Sequence, residues 1–91
     1  MVRIIKKDGT LEDFDENKII AAVTKSANRV MYKFKKSETD MICEFIRGKI
    51  SENGFSDVPI QTMHNLVESA LEAVEPKVAK SYKDYRNYKK D

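Results

Sequence analysis

The sequence predicts an α+β fold, mainly α: a four-helix bundle covered by a small two- or three-stranded sheet. Three observations carry this. Apolar residues recur at helical spacing in four separate stretches, and a short β-branched run near the N-terminus is followed by an Asp-Gly turn and a second alternating stretch. The chain has 91 residues, enough for a single core only. A sheet of two or three strands is not stable alone, so it must lie on the bundle as a lid.

Each element has its own signal. Val2 to Ile5 and Thr10 to Phe14 read as the arms of a hairpin bent at Asp8-Gly9. Asp15 is placed to cap a first helix over Glu16 to Asn28, whose inner positions are Ile19, Ile20, Val23 and Ala27. A basic and aromatic link, Met31 to Lys36, leads to Ser37-Glu38-Thr39-Asp40, a capping box with Asp in place of Glu. Met41, Ile42, Phe45, Ile46 and Ile50 form the stripe of the second helix. Asn53-Gly54 fits a left-handed cap better than a new hairpin, with Phe55 folding back over the last turn. Asp57 to Ile60 allows one further strand, which Pro59 confines to an edge or ends. Met63, Leu66, Val67, Ala70, Leu71 and Val74 make a third helix. Pro76 opens a fourth, with Val78, Tyr82 and Tyr85 on its inner face. No glycine closes that helix, so the whole chain, 1–91, reads as a single domain cut from the N-terminus of a longer protein.

Composition excludes several functions. With 17 Lys+Arg against 15 Asp+Glu, the net charge of +2 is too even for a nucleic-acid binder. No apolar run approaches the ~20 residues of a membrane span. The single cysteine, Cys43, forbids an internal disulfide and a Cys-rich zinc site, and the N-terminus lacks the apolar core of a signal peptide. A reducing, cytoplasmic setting is expected.

Catalytic constellations are missing. No phosphate loop of the GxxxxGK[ST] kind, no GxGxxG and no HExxH occurs, and the one histidine, His64, has no ligand or nucleophile at useful spacing. Glu12 and Asp15 read first as strand-end solvation and helix capping, and Tyr82, Tyr85 and Tyr88 as packing residues. The lysines are less easily explained. Lys6 and Lys7 are adjacent, so alternation sends one of them toward the bundle, where it needs an anion. Lys18 stands in the first turn of a helix, where a cation is mildly unfavourable without a ligand.

Ile4 to Ile19, IIKKDGTLEDFDENKI, resembles the opening of the ATP-cone domain, V-x-K-R-D-G-x-x-E-x-F-D-x-x-K-I. Met63 to Glu68 is similar to that family's I-Q-D-L-V-E helix, and Val78 to Arg86 to its closing V-A-x-x-Y-x-x-Y-R. The three blocks span essentially the whole chain in order. The resemblance implies a four-helix bundle with a small sheet and ATP or dATP held between them, as an allosteric effector accompanied by Mg bound through the phosphates. ATP-cones sit mostly at the N-termini of ribonucleotide reductases, where ATP keeps the enzyme active and dATP switches it off by changing its assembly state. The wording here looks most like the anaerobic or other ribonucleoside-triphosphate reductases. The partners then expected are an adenine nucleotide, the rest of the reductase chain and its oligomer partners. Alternatives are the ATP-cone of a transcriptional regulator of reductase genes, a degenerate structural cone, and a nucleic-acid module built on the basic fourth helix.

The resemblance also implies roles. Lys6 and Lys7 match positions that hold phosphates, Glu12 and Asp15 those that read the adenine edge, and Ile4 and Ile19 those that sandwich the base. Lys18 matches a position near ribose and phosphates, His64 one beside the nucleotide, and Lys89 a C-terminal cation that reaches the phosphates. A carboxylate such as Glu12 accepts from the adenine amino group and repels a guanine carbonyl. Two departures stand out. Lys7 replaces Arg, giving a point charge instead of a planar fork, and Ile60 stands where some relatives have Thr.

Overall fold

The computed structural model describes residues 2–54 and 56–88, with side chains up to residue 84. Among these residues the chain runs β1 (Arg3–Ile5), β2 (Leu11–Asp13), α1 (Glu16–Arg29), α2 (Lys36–Glu52), β3 (Asp57–Pro59), α3 (Ile60–Val74) and α4 (Pro76–Tyr88). The fold is therefore the expected mainly helical α+β arrangement, and the sheet has three strands in the order β2-β1-β3.

The hairpin forms where the turn chemistry directs it. Gly9 takes φ +88, a left-handed conformation that favours glycine, and donates to the Lys6 carbonyl at 2.9 Å. The Asp8 carboxylate accepts from the Thr10 hydroxyl at 2.7 Å and from its N–H at 3.0 Å, which holds the Asp8 carboxyl below its ordinary range. β1 pairs antiparallel with β2, placing Ile4 opposite Glu12, and parallel with β3, placing Ile4 opposite Val58. Pro59 is the last residue of an edge strand, where its missing N–H breaks no ladder. Ile4 and Val58 are both buried and anchor the sheet on the helices.

α1 begins as expected, with the Asp15 carboxylate accepting from the Asn17 N–H at 2.9 Å. α2 does not. Its cap is Lys35, and the helix already runs from Lys36, so Ser37 lies inside the first turn and makes no capping box with Asp40. The reason is Glu38, whose carboxylate accepts from the Lys35 N–H at 2.9 Å and the Tyr32 hydroxyl at 2.6 Å. These two bonds fix the helix start two residues earlier than Ser37 would. Asp40 pairs instead with Lys36 at 3.2 Å. Met41, expected in the inner stripe, is 55% exposed, and Cys43 takes the buried position beside Ile42, Ile46 and Ile50.

Gly54 has φ +67 just past the Asn53 cap, the expected left-handed ending of α2. Phe55 and its proposed contact lie outside the described residues. Ile60 opens α3 rather than closing the strand, because Pro59 occupies the cap position and its fixed φ of −58 suits a helix entry. α4 packs against both α1 and α3, and α2 against α3. Val23, Ile46, Leu71 and Val78, one from each helix, are fully buried at the centre. Tyr82 is buried on the inner face of α4, whereas the side chain of Tyr85 lies outside the described residues.

Candidate functional site

Between the sheet and the bundle lies a cavity of about 220 Å3. The sheet side contributes Ile4, Glu12 and Phe14, and the first half of α1 adds Lys18, Ile19 and Ala22 behind the Asp15 cap. α3 supplies Ile60, Met63, His64 and Val67, and α4 closes the inner end with Tyr82. The geometry follows from register and helical period. Ile4 and Glu12 are cross-strand partners, and Asp15, Lys18, Ile19 and Ala22 recur at three- and four-residue intervals, so they share one face of the chain entering α1.

The walls are apolar and the rim is charged. Ile4 and Ile19 are 6% and 9% exposed and offer flat aliphatic surface to anything placed between them. At the rim the Lys18 ammonium donates to the Glu12 carboxylate, a bond that pushes the Lys18 pKa up and the Glu12 pKa down. Their side chains are 66% and 32% exposed, so water screens the pair and either partner can be exchanged for a ligand group. The expectation that Lys18 stands uncompensated in its first turn is corrected here: Glu12 reaches it from the neighbouring strand. Deeper in, the rings of His64 and Tyr82 meet edge to face with centroids 6.3 Å apart.

Lys6 and Lys7 lie elsewhere. Strand geometry ends at Ile5, so the alternation that was to send one lysine toward the bundle does not extend to them, and both are exposed in the turn. With Asp8 and Ile60 they line an open depression of about 370 Å3. Ile60 also lines the main cavity, so the two spaces adjoin across its side chain. Together they fall within the ~300 to 1,000 Å3 of small-molecule sites. Of the nine residues singled out in the sequence, Ile4, Glu12, Asp15, Lys18, Ile19 and His64 share the cavity, and Lys6 and Lys7 the adjoining depression. Lys89 lies outside the described residues.

The arrangement separates two kinds of chemistry. Glu12, Asp13 and Asp15 outnumber Lys18 around the cavity, which suits a ligand part that donates hydrogen bonds and is otherwise apolar and flat. The neighbouring depression, with two lysines against Asp8, suits anionic oxygens. Phe14, Ala22, Met63, Val67 and Tyr82 were not anticipated as lining residues. For Met63, Val67 and Tyr82 the signal was present in the helical stripes, because core residues at the end of a bundle facing a lid must also line whatever space the lid leaves.

A family model, the ATP cone domain, matches residues 2–91. Compared with curated proteins, the chain finds no match.

Proposed function

The chain belongs to the ATP-cone family of nucleotide-sensing regulatory domains, and from that premise we propose that it senses ATP and dATP for a ribonucleotide reductase, controlling overall activity through assembly state. The adenine lies between Ile4 and Ile19 with its amino group donating to Glu12 or Asp15. The ribose faces His64 and Lys18, and the triphosphate crosses Ile60 to Lys6 and Lys7. Mg would be held through the phosphates rather than by side chains, and would neutralise part of their charge. The domain has no catalytic step of its own in this reading and serves a ribonucleoside-triphosphate reductase of the cytoplasm.

The observation that carries the proposal is the polarity of the site. Glu12 and Asp15 stand at an apolar cavity of about 220 Å3, and Lys6 and Lys7 line the depression that adjoins it across Ile60. That matches a ligand with an amino-bearing aromatic end and a polyanionic end, and it runs opposite to what a polyanion alone would select.

Calorimetric titration with ATP, dATP and GTP in the presence of Mg tests it. Adenine nucleotides should bind, and GTP more weakly, because its carbonyl meets a carboxylate. Lys6→Ala should weaken triphosphates about tenfold, the loss of one charge-assisted contact, and leave adenosine unchanged. No binding of adenine nucleotides refutes the site. Equal affinity for GTP refutes the role of Glu12.

A further inference from the structure

The C-terminal end of α1 sets an exposed apolar side chain in an unfavourable backbone conformation. Met31 has φ +58, the one positive value at a non-glycine position among the described residues, and is 95% exposed. The local hydrogen bonds explain the conformation. The Tyr32 N–H returns to the Ala27 carbonyl at 2.9 Å and the Met31 N–H to the Asn28 carbonyl at 3.1 Å, the paired bonds of a Schellman ending. Glycine fits this position without strain. Methionine brings strain and leaves its thioether in water, so the fold gains nothing from it.

Depressions flank this turn on two sides. One, of about 580 Å3, is walled by Met31, Tyr32 and Phe34 over Ala27, and the two rings brace each other edge to face at 5.1 Å. The other, of about 240 Å3, runs between α1 and α4 and carries Arg29, Lys77 and Lys80 with Val30. Of the acids nearby, Glu38 accepts from Tyr32, Asp84 pairs with Lys80 at 3.2 Å in an exposed pair that a stronger anion can displace, and Glu75 acts on Tyr32 from just before α4. Lys33 adds a further cation to the aromatic side.

We propose that this end of the bundle is a docking surface for an acidic segment of a partner protein, one that places apolar side chains in the Met31–Tyr32–Phe34 cleft and carboxylates over Arg29, Lys77 and Lys80. Methionine and rigid aromatics are the residue types that anchor such contacts, and the basic rim selects the charge of the occupant. The surface lies on the helix that also forms the nucleotide cavity. Asp15, Lys18 and Ile19 mark one end of α1 and Ala27, Asn28 and Met31 the other, about 20 Å away over its 14 residues. The proposal goes beyond the nucleotide reading and does not depend on it.

The test is an NMR titration of the isotope-labelled chain with a short synthetic amphipathic peptide bearing Asp and Glu on its polar face and Leu and Phe on the other. A peptide with Lys in place of the acids and a DNA duplex are run in parallel. The acidic peptide should shift the Met31 methyl, the Tyr32 and Phe34 rings and the amides around them. Met31→Gly should raise the melting temperature by relieving the left-handed turn and still weaken the peptide about tenfold, as loss of an anchor residue does. Charge reversal at Lys77 should weaken it as well, with the fold intact by circular dichroism in both variants. Shifts confined to other surfaces, equal binding of the Lys peptide, or full peptide affinity in Met31→Gly would overturn the proposal. So would a preference for DNA at these residues, which would assign the surface to nucleic acid.

Discussion

Replacing Ser81 with Ala tests how the bundle is closed at the end of α1. A helix leaves its last carbonyls without partners in the helix itself. In α1 the Ala27 carbonyl accepts from the N–H groups of Val30 and Tyr32, and the Asn28 carbonyl from that of Met31. The Ser26 carbonyl accepts from the Ser81 hydroxyl of α4 at 2.8 Å. Ser26 is 0% and Ser81 6% exposed, so water has no access to stand in for the lost donor. A buried carbonyl left unsatisfied costs about 1 to 3 kcal/mol. For a domain of this size each kcal/mol shifts the melting temperature by about 4 to 8 °C, so Ser81→Ala should melt roughly 5 to 20 °C lower. Ser26 is the internal control. Its hydroxyl donates at 3.2 Å to the Ala22 carbonyl, which lies one turn back and already serves the helix ladder. Ser26→Ala therefore removes a redundant bond and installs the best helix former, and its stability should stay within about 0.5 kcal/mol of the parent. Thermal unfolding followed by circular dichroism compares the two. Equal losses from both serines, or no loss at Ser81, would refute the assignment of the buried carbonyl to the Ser81 hydroxyl.

Asp15 carries two roles that one pair of variants separates. Asp15→Ala should cost about 1 kcal/mol in a urea titration by removing the cap of α1, and should weaken adenine nucleotides too. Asp15→Ser restores a capping oxygen without the charge, so stability should return and nucleotide affinity should not; recovery of both would reduce Asp15 to a cap. Tyr32 should titrate well above the ordinary tyrosine range. Its bond to Glu38 pushes the phenol up to about 12, so this contribution to stability is complete below the ordinary tyrosine value and is lost as pH rises through about 12. The phenolate absorbance of the parent minus that of Tyr32→Phe reads this directly, and a difference curve centred near 10 would show that the bond does not form in solution. The Lys35 N–H and the Tyr32 hydroxyl hold Glu38 below the usual carboxylate range, so its contribution is present above that range and is lost as pH falls through the lowered value.

The helices and the hairpin were legible because their signals are local. Asp15 caps α1, Asp8-Gly9 bends the hairpin, Gly54 ends α2 and Pro76 opens α4, each through bonds within a few residues. The misreadings came where a distant or competing partner decided the outcome. Ser37 had the form of a cap, but Glu38 was already bound by Tyr32 and Lys35 from the preceding link. Lys18 had the form of an unsatisfied cation, but a strand six residues earlier in sequence delivered Glu12 to it. The parallel pairing of β3 with β1 could not be read from Asp57-Val58-Pro59, because strand order depends on how α1 and α2 return the chain. The candidate site was legible mainly through the family pattern. Composition and spacing located odd lysines, but only that pattern connected Ile4, Glu12 and His64, which the fold then brings to one cavity.

The Glu12–Lys18 pair gives the proposed sensor a physical means of switching. It joins β2 of the lid to α1 of the bundle at the rim of the cavity. An adenine nucleotide that draws Glu12 to its amino group and Lys18 toward its ribose and phosphates dissolves this pair and itself becomes the bridge between lid and bundle. A ligand biases assembly only to the extent that it binds two states of the domain differently. ATP and dATP differ only at the 2′ position, so the difference must arise where the ribose meets the chain. In the proposed pose the ribose faces Lys18 and His64, two polar groups of the cavity lining placed to register a 2′-hydroxyl. Both act on elements that continue away from the site: Lys18 on α1, which ends at the Met31 turn, and His64 on α3, whose ring rests against Tyr82 of α4. On the proposed reading a small change at the ribose would be transmitted to two helices that both pack on α4, since tightly packed helices shift as units rather than deform locally.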